Sequence, residues 1–442
     1  MGRTYINELK NNINKTVRID GWVDVRRDHG KLVFIDLRDT TGVVQTVIRP
    51  DSGDAYEIGK TLRNEWVVSV EGIVQKRPEK MVNKESETGD IEFIISSVNV
   101  LSQADELPFD RDEKLNLDTY LDNLPLTLRT KRAQAIFKVQ TTILQAFRSF
   151  LVEKGFIEFQ SPKLIGEDAE GGASVFEVDY FDHTAHLAQS PQFYKQIMVG
   201  VYEKVFTTGN VYRAEKHSTS RHLNEYTSLD MEMGFIKDHR DIMNISGELM
   251  THITITVEKT CTKELALFNT TPIKIPMPIP HLTLRDAQEI IKKNYGEDCS
   301  DEPDLSPQHE RWLSEYALKE HKSDFLFVTH FPIEKTAMYA YEDEDNLGYS
   351  RYFDLLFRGI EIQSGGQRQH NYDKLVKAME RKKLDPKKFS FYLQAFKYGM
   401  PPHGGFGMGL ERLTAKFLGL ENVKEATLFP REINRIDTLL SQ

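Results

Sequence analysis

The sequence predicts an α+β protein in two parts: a small closed β-barrel, followed by a larger domain with a largely antiparallel sheet flanked by helices. Three observations carry this. Residues 1–104 hold five short apolar-patterned strands separated by turn chemistry. Residues 105–134 change character, with Pro108, Pro125 and many charges, and read as a hinge. Residues 135–442 mix strands and helices without regular βαβ alternation, which disfavours a parallel sheet.

The barrel strands are predicted at Thr16–Val23, Leu32–Leu37, Val43–Ile48, Trp66–Val74 and Ile91–Val100, with a turn such as Asp39-Thr-Thr-Gly42 between two of them. Five short strands in about 100 residues suit a small closed barrel, of which the OB-fold is one kind. The polar stretch Lys76–Asp90 is expected to be a loop. After the hinge, Ile136, Val139, Ile143, Ala146, Phe147, Phe150 and Leu151 keep helical spacing, and Gly155 ends the helix. Residues 270–335 carry the weakest signal.

Composition narrows the class. At 442 residues the chain has room for two or three domains, and 39% hydrophobic with 28% charged residues is ordinary for a globular protein. The opening MGRTYINELK has no apolar signal core, and no run approaches a membrane span, so a cytoplasmic protein is expected. Cys261 and Cys299 lack CxxC spacing, which speaks against a thiolate zinc site and a disulfide framework. The net charge of −10 argues against indiscriminate nucleic-acid binding, so any RNA contact must be confined to local basic patches.

Neither a Walker A sequence nor GxGxxG stands at a strand-to-helix junction, so another device must hold any nucleotide. Two arginine-centred segments are candidates. Val211–Glu232 (VYRAEKHSTSRHLNEYTSLDME) reads as strand, polar loop, strand, with Arg213, Lys216, His217, Arg221 and His222 flanked by Glu215 and Glu225. Guanidinium forks match phosphate oxygens bidentately, so such a hairpin can cover a polyphosphate. Gly404–Phe417 (GGFGMGLERLTAKF) lets backbone approach a ligand at its glycines, then starts a helix near Gly409 with Arg412 in the first turn. A cation there opposes the helix dipole and calls for an anionic or aromatic partner. A third segment, Phe353–Arg368 (FDLLFRGIEIQSGGQR), sets Asp354 and Glu361 in an apolar strand context, where buried carboxylates need ion pairs or a hard cation such as Mg²⁺.

Together with a stretch further upstream, these segments resemble the signature motifs of class II aminoacyl-tRNA synthetases. FIEFQSPKL, with Pro162, resembles the first motif, which lies in the dimer interface; VYRAEKHSTSRHLNEYTSLDME and GFGMGLERL resemble the second and third. With an N-terminal anticodon-binding barrel the likeness is to subclass b, the aspartyl, asparaginyl and lysyl enzymes. EGGASVF, QSPQFYKQIM, RAEKHSTSRHLNE and IEIQSGGQRQH most resemble the archaeal-type aspartyl enzymes. The resemblance covers essentially the whole chain and implies a homodimer, a class II catalytic domain at 135–442, and ATP-driven joining of aspartate to a tRNA.

The resemblance also implies roles. Arg213 holds the α-phosphate and the reacting carboxylate, Arg412 contacts the outer phosphates and stacks on adenine, and Tyr226 offers an opposite face; with Glu361 these arginines are the catalytic set. Glu215, Arg221, His222, Leu223, Gly409, Leu410 and Glu411 complete the ATP site, and Asp354, Glu361 and Ser364 form the Mg²⁺ environment. Lys195 and Arg368 face the second carboxylate of aspartate. Glu170, Ser190, Gln192 and Asp230 surround its ammonium, with Ser364 near by. Asparaginyl enzymes resemble this chain but carry an acidic residue where Lys195 stands, and asparagine synthetase paralogues lack the barrel.

In the barrel, Phe34 and Gln45 match the pair that reads the middle anticodon uridine, and Arg26, Arg27 and Lys31 are candidates for phosphate contacts. That uridine is common to tRNA(Asp) and tRNA(Asn). Strict archaeal-type enzymes tend to have tryptophan near the position of Asp24 and relaxed ones histidine; Asp24 is neither, while Pro78 leans towards the relaxed type. A relaxed enzyme implies an amidotransferase partner that amidates the aspartyl-tRNA(Asn).

Overall fold

The computed structural model describes residues 1–110, 113–166, 175–216 and 218–440. They form two compact units, Met1–Glu113 and Lys114–Gln442.

The first unit is a closed barrel of β1 (Thr16–His29), β2 (Leu32–Asp39), β3 (Gly42–Ile48), β4 (Val67–Lys76) and β5 (Ile91–Ser102), in the order β1-β2-β3-β5-β4. Strand alternation fixes its inside: Val33, Ile35 and Leu37 of β2 are buried, while Phe34, Asp36 and Arg38 face outward. Gly21 is required on β1, because a Cβ there would stand 2.4 Å from the Arg38 carbonyl oxygen. β1 runs six residues past the predicted end at Val23. Arg26, Arg27, Asp28 and His29 pair with Ile35, Phe34, Val33 and Leu32 in a hairpin, so backbone pairing rather than an apolar face sustains this stretch. A short helix, Asp54–Thr61, was not anticipated; it contributes buried Ala55 to the barrel core.

The second unit opens with the short helices Leu117–Asp122 and Leu124–Thr127. The predicted long helix spans Lys131–Glu153; the Thr130 side chain caps it by accepting from the Ala133 N–H, and Gly155 follows at φ 80°. Its strands are β6 (Ile157–Glu158), β7 (Leu164–Ile165), β8 (Glu177–Tyr180), β9 (His183–Leu187), β10 (Lys204–Tyr212), β11 (Glu225–Gly234), β12 (His281–Thr283), β13 (Phe325–Thr329), β14 (Tyr352–Phe357), β15 (Ile360–Arg368) and β16 (His403–Gly409). Eight of them form one sheet in the order β12-β13-β14-β15-β16-β11-β10-β6. Its pairs are antiparallel except β12 with β13 and β6 with β10. β7, β9 and β8 form a separate three-stranded sheet. Ile143 and Phe147 of the long helix and Leu249 and Ile253 of the helix His239–Thr260 pack in one apolar cluster with Phe206, Met231, Phe353 and Phe406 of the large sheet.

The central strand β16 (HGGFGMG) is glycine-rich for a specific reason. A Cβ on Gly405 would come within 2.2 Å of Glu232 Oε2, and one on Gly407 within 3.1 Å of Asp230 Oδ1. The glycines thereby leave room for two buried carboxylates of β11. Among the described residues no helix is long and apolar enough to cross a membrane.

Candidate active site

One cavity of ≈ 730 Å³ in the second unit is lined by β11, β15 and β16, the β10–β11 loop and the helix Gln192–Tyr202. All three segments singled out in the sequence converge on it.

At one end lie two buried cations. Lys195, on the first turn of its helix, is 1% exposed; its Nζ is 3.0 Å from Asp230 Oδ1, 3.0 Å from the Phe406 carbonyl oxygen and 3.5 Å from Glu232 Oε2. Arg368, at the end of β15, donates through Nε to Glu232 Oε1 at 2.9 Å and through Nη2 to the Gly405 carbonyl at 2.9 Å. Burial alone would raise the carboxyl of Glu232, but the charges of Arg368 and Lys195 prevail and hold it below the usual range. Ser228 donates to the other oxygen of Asp230. The result is a preassembled ion network under the cavity floor.

A neutral chain of hydrogen bonds fixes the helix carrying Lys195. Gln196 Oε1 accepts from Gln192 Nε2 at 2.9 Å and from the Tyr392 hydroxyl at 3.0 Å, and its Nε2 lies 2.9 Å from His403 Nε2. Burial pushes His403 down to about 4, so the ring is neutral at pH 7. Its Nδ1 lies 2.8 Å from the Pro401 carbonyl, which can only accept; the proton therefore sits on Nδ1, and Nε2 accepts from Gln196. Ser190 Oγ accepts from the Gln192 backbone N–H at 3.3 Å.

The other end holds three more accessible arginines. The guanidinium of Arg213 lies 5.6 Å from the Tyr226 ring centroid, with its Nη1 4.0 Å from Glu215. Arg221 pairs with both oxygens of Glu310, at 2.9 and 2.8 Å. Arg412 donates to the carbonyls of Arg221 and Glu361 and stands 3.9 Å from the Glu361 carboxylate, the anionic partner its place in the helix called for. His222 Nε2 is 3.8 Å from Glu215. Leu223 and Gly409 line the same wall, whereas Leu410 is buried in the apolar core. Glu411 accepts the Thr227 backbone N–H with both oxygens, and burial pushes its carboxyl up to about 7.

Between the two ends, Ser364 Oγ stands 2.7 Å from Asp354 Oδ1 and 2.7 Å from Glu361 Oε1. One hydroxyl proton serves only one of them. Burial and the charge of Glu361 push Asp354 well above its usual range; the charge of Arg412 offsets burial and keeps Glu361 below its own. Two half-buried carboxylates and a hydroxyl in contact suit a hard divalent cation. Among the described residues no cluster of three or more acidic, histidine or cysteine side chains could hold a metal, so phosphate oxygens or water must complete such a coordination shell.

Glu170 and His217 lie outside the described residues. Glu232, Glu310 and His403 were not anticipated. For Glu232 a signal existed, since two carboxylates two residues apart on a buried strand face the same side; Glu310 and His403 had none.

In the barrel, Phe34 lies on the outer face of β2, edge-on to His29 at 6.1 Å between ring centroids, and Gln45 pairs with Asp36 on that same face. Arg26 donates to the Lys60 and Leu62 carbonyls, and Arg27 pairs with Asp36 at 2.8 Å. Lys31 is exposed at the hairpin turn. Asp24 sits buried at a bulge of β1, 3.7 Å from Arg38, which itself binds Glu65 through two bonds. Pro78 precedes the turn Glu79–Met81.

The fold and this site define a class: the chain belongs to the class II tRNA synthetases of the D, K and N group, whose family model matches residues 116–433, and an OB-fold nucleic acid binding domain matches residues 17–101. Relatives narrow it further. The chain is 43% identical over 443 residues to the aspartate–tRNA(Asp/Asn) ligase of Deinococcus radiodurans, covering 98% of each protein. It is 39% identical to the aspartate–tRNA(Asp) ligase of Pyrococcus abyssi, again over 98% of each. Its fold matches that of asparaginyl-tRNA synthetase from Pyrococcus horikoshii complexed with asparaginyl-adenylate, with a TM-score of 0.91, 32% identity and 99% of each chain covered.

Proposed function

We propose that the chain is an aspartate–tRNA ligase: it joins L-aspartate to ATP, releasing diphosphate, and then passes the aspartyl group to the 3′-terminal adenosine of tRNA. The observation that carries the choice of amino acid is the buried pair Lys195 and Arg368. The second carboxylate of aspartate accepts from both cations, each charge-assisted bond contributing roughly 1.5–3 kcal/mol. Asparagine would turn an amide NH₂ towards donors and leave charge uncompensated, and lysine would add a third cation. Glu170, Ser190, Gln192 and Asp230 receive the ammonium.

Arg213 spans the α-phosphate and the reacting carboxylate and neutralises charge as the carboxylate oxygen attacks phosphorus. No side chain need remove a proton, because the attacking group is already ionised. Arg221, His222 and Arg412 hold the outer phosphates, and Tyr226 and Arg412 flank the adenine. Asp354, Glu361 and Ser364, together with phosphate oxygens, would hold Mg²⁺, which would supply further neutralisation of the polyphosphate. In the second step a ribose hydroxyl attacks the aspartyl carbonyl and AMP leaves.

Phe34 stacks on the middle anticodon uridine and Gln45 hydrogen-bonds it. The enzyme charges both tRNA(Asp) and tRNA(Asn). Asp24, which would otherwise accept from the amino group of the cytosine that marks tRNA(Asp), is already engaged beside Arg38, and Pro78 offers no backbone donor. Aspartyl-tRNA(Asn) then passes to an amidotransferase. Val152, Ile157 and Leu164 leave apolar surface exposed between residues 135 and 165, which supports a homodimer built there. The buried free thiols Cys261 and Cys299 suit the cytoplasm. Amino-acid-dependent ATP–diphosphate exchange tests the activity: aspartate should support it and asparagine should not. Charging of both tRNA transcripts with labelled aspartate tests the relaxed reading, and an efficiency on tRNA(Asn) at least about a hundredfold below that on tRNA(Asp) would refute it.

A further inference from the structure

The cavity has a basic wall that none of the roles above uses. Residues 372–398 carry eight basic and three acidic side chains, a net of +5 in a chain whose net charge is −10. They comprise the helices Tyr372–Arg381 and Ser390–Lys397 and the turn between them. The first helix delivers Arg381, Lys382 and Lys383 to the cavity lining, where Lys335 joins them.

These cations are not equivalent. Lys382 is tied down, donating to the Glu334 carbonyl at 3.0 Å. Arg381 has Glu342 at 3.3 Å, and Lys335 has Asp304 at 3.5 Å. Lys383 is exposed, sits at φ 60° and, among the described residues, has no hydrogen-bond or ion-pair partner for its ammonium. Such a left-handed conformation is uncommon for a residue with a side chain.

The second helix adds aromatic surface. Tyr392, Leu393 and Phe396 bury its inner face in an apolar cluster with Leu375 and Met379 of the first helix. Phe391 and Tyr398 take no part in that cluster and are 69% and 81% exposed. Cations that track a backbone, together with open rings on a packed support, are what an unpaired polynucleotide strand recognises: phosphates pair with the cations and bases stack on the rings. The phosphates of ATP have their own proposed arginines, Arg213, Arg221 and Arg412, supplied by other elements. The substrate that must reach this cavity from solvent carrying both phosphodiesters and unpaired bases is the 3′ end of the tRNA.

We infer that residues 372–398 form the docking surface for the single-stranded 3′ end of the tRNA, with Lys383 on its backbone and Phe391 and Tyr398 against its bases. This rests on the reading of the chain as a tRNA ligase.

The test uses the full-length protein with Lys383→Glu, Lys383→Arg and the double change Phe391→Ser with Tyr398→Ser. Aspartate-dependent ATP–diphosphate exchange, which needs no tRNA, should stay within about twofold of wild type in all three, showing that fold and adenylation survive. Lys383→Glu and the double variant should each lower kcat/KM for tRNA by about tenfold or more, mainly through KM, and Lys383→Arg should restore it. The salt slope of tRNA binding should fall by about one for Lys383→Glu. Trimming the unpaired 3′ nucleotides from a tRNA transcript should weaken binding to wild type but not to the two impaired variants. Unchanged charging by both, an equal trimming penalty in all proteins, or a raised KM for ATP in exchange would overturn the inference. Absence of aspartate-dependent exchange in wild type would instead remove the functional reading beneath it.

Discussion

The two ends of the cavity both use cations, but they hold them differently. At the proposed amino-acid end Lys195 and Arg368 are 1% and 2% exposed and paired with Asp230 and Glu232. At the proposed nucleotide end the side chain of Arg213 is 43% exposed and that of Arg412 25%, with carboxylate contacts of 4.0 and 3.9 Å, while Arg221 pairs tightly, with Glu310 at 2.8 Å. A small ligand distinguished from its isostere by one group needs donors that cannot move away. A polyphosphate whose charge shifts during reaction is met by guanidiniums that stand nearer the solvent. The energetic consequence is asymmetric: removing one partner of a buried pair leaves a stranded charge costing about 3–5 kcal/mol, whereas exposed pairs contribute about 0–1 kcal/mol to stability.

The largest effect should come from Glu232→Gln, which leaves Arg368 and Lys195 without their shared carboxylate. Unfolding by denaturant should register a loss of about 3–5 kcal/mol, and aspartate-dependent exchange should vanish. Full stability in that variant would break the contrast between the two ends. Arg412→Ala should leave stability within about 1 kcal/mol of wild type while lowering exchange about 10–100-fold and raising KM for ATP, the loss of one charge-assisted contact. Phe34→Ala, in the separate barrel unit, should reduce charging about tenfold and leave exchange unchanged.

The smallest effect sharpens the picture of the nucleotide wall. The carboxyl of Glu411 keeps its proton up to about pH 7 in the folded protein, against an ordinary value of 4.5. A raised folded-state value means that its contribution to stability is complete below about pH 4.5 and is lost as the pH rises through about 7. Glu411→Gln cannot ionise, so its melting temperature should match wild type near pH 5 and exceed it by a few degrees near pH 8. A wild-type melting curve with the opposite pH slope in that window, unaltered by the change, would contradict the assignment.

What the sequence reveals and conceals follows the range of the interactions. The cation in the first helical turn of GFGMGLERL singles out Arg412 from the residues themselves, whereas Lys195 and Phe34 are singled out only by the resemblance to the aspartyl enzymes. Glu310 binds Arg221 from 89 residues away, and His403 meets Gln196 across 207; no local pattern encodes such a meeting, which depends on strand order in the sheet. The hairpin end of β1 escapes notice because Arg26–His29 are all polar and periodicity senses only one-sided burial. The helix Asp54–Thr61 is short and carries a glycine, so its propensity is weak until the barrel covers its inner side.

We propose that the buried cation pair sets the preference for aspartate within a fold shared with asparaginyl-tRNA synthetase. ATP–diphosphate exchange by wild type and Lys195→Ala, each with aspartate and with asparagine at saturating ATP, tests it most directly. Wild type should use aspartate at least about a hundredfold better than asparagine, and Lys195→Ala should lose about 10³-fold or more with aspartate while still binding ATP. Near wild-type exchange by Lys195→Ala, or a wild-type preference for asparagine, would contradict the account.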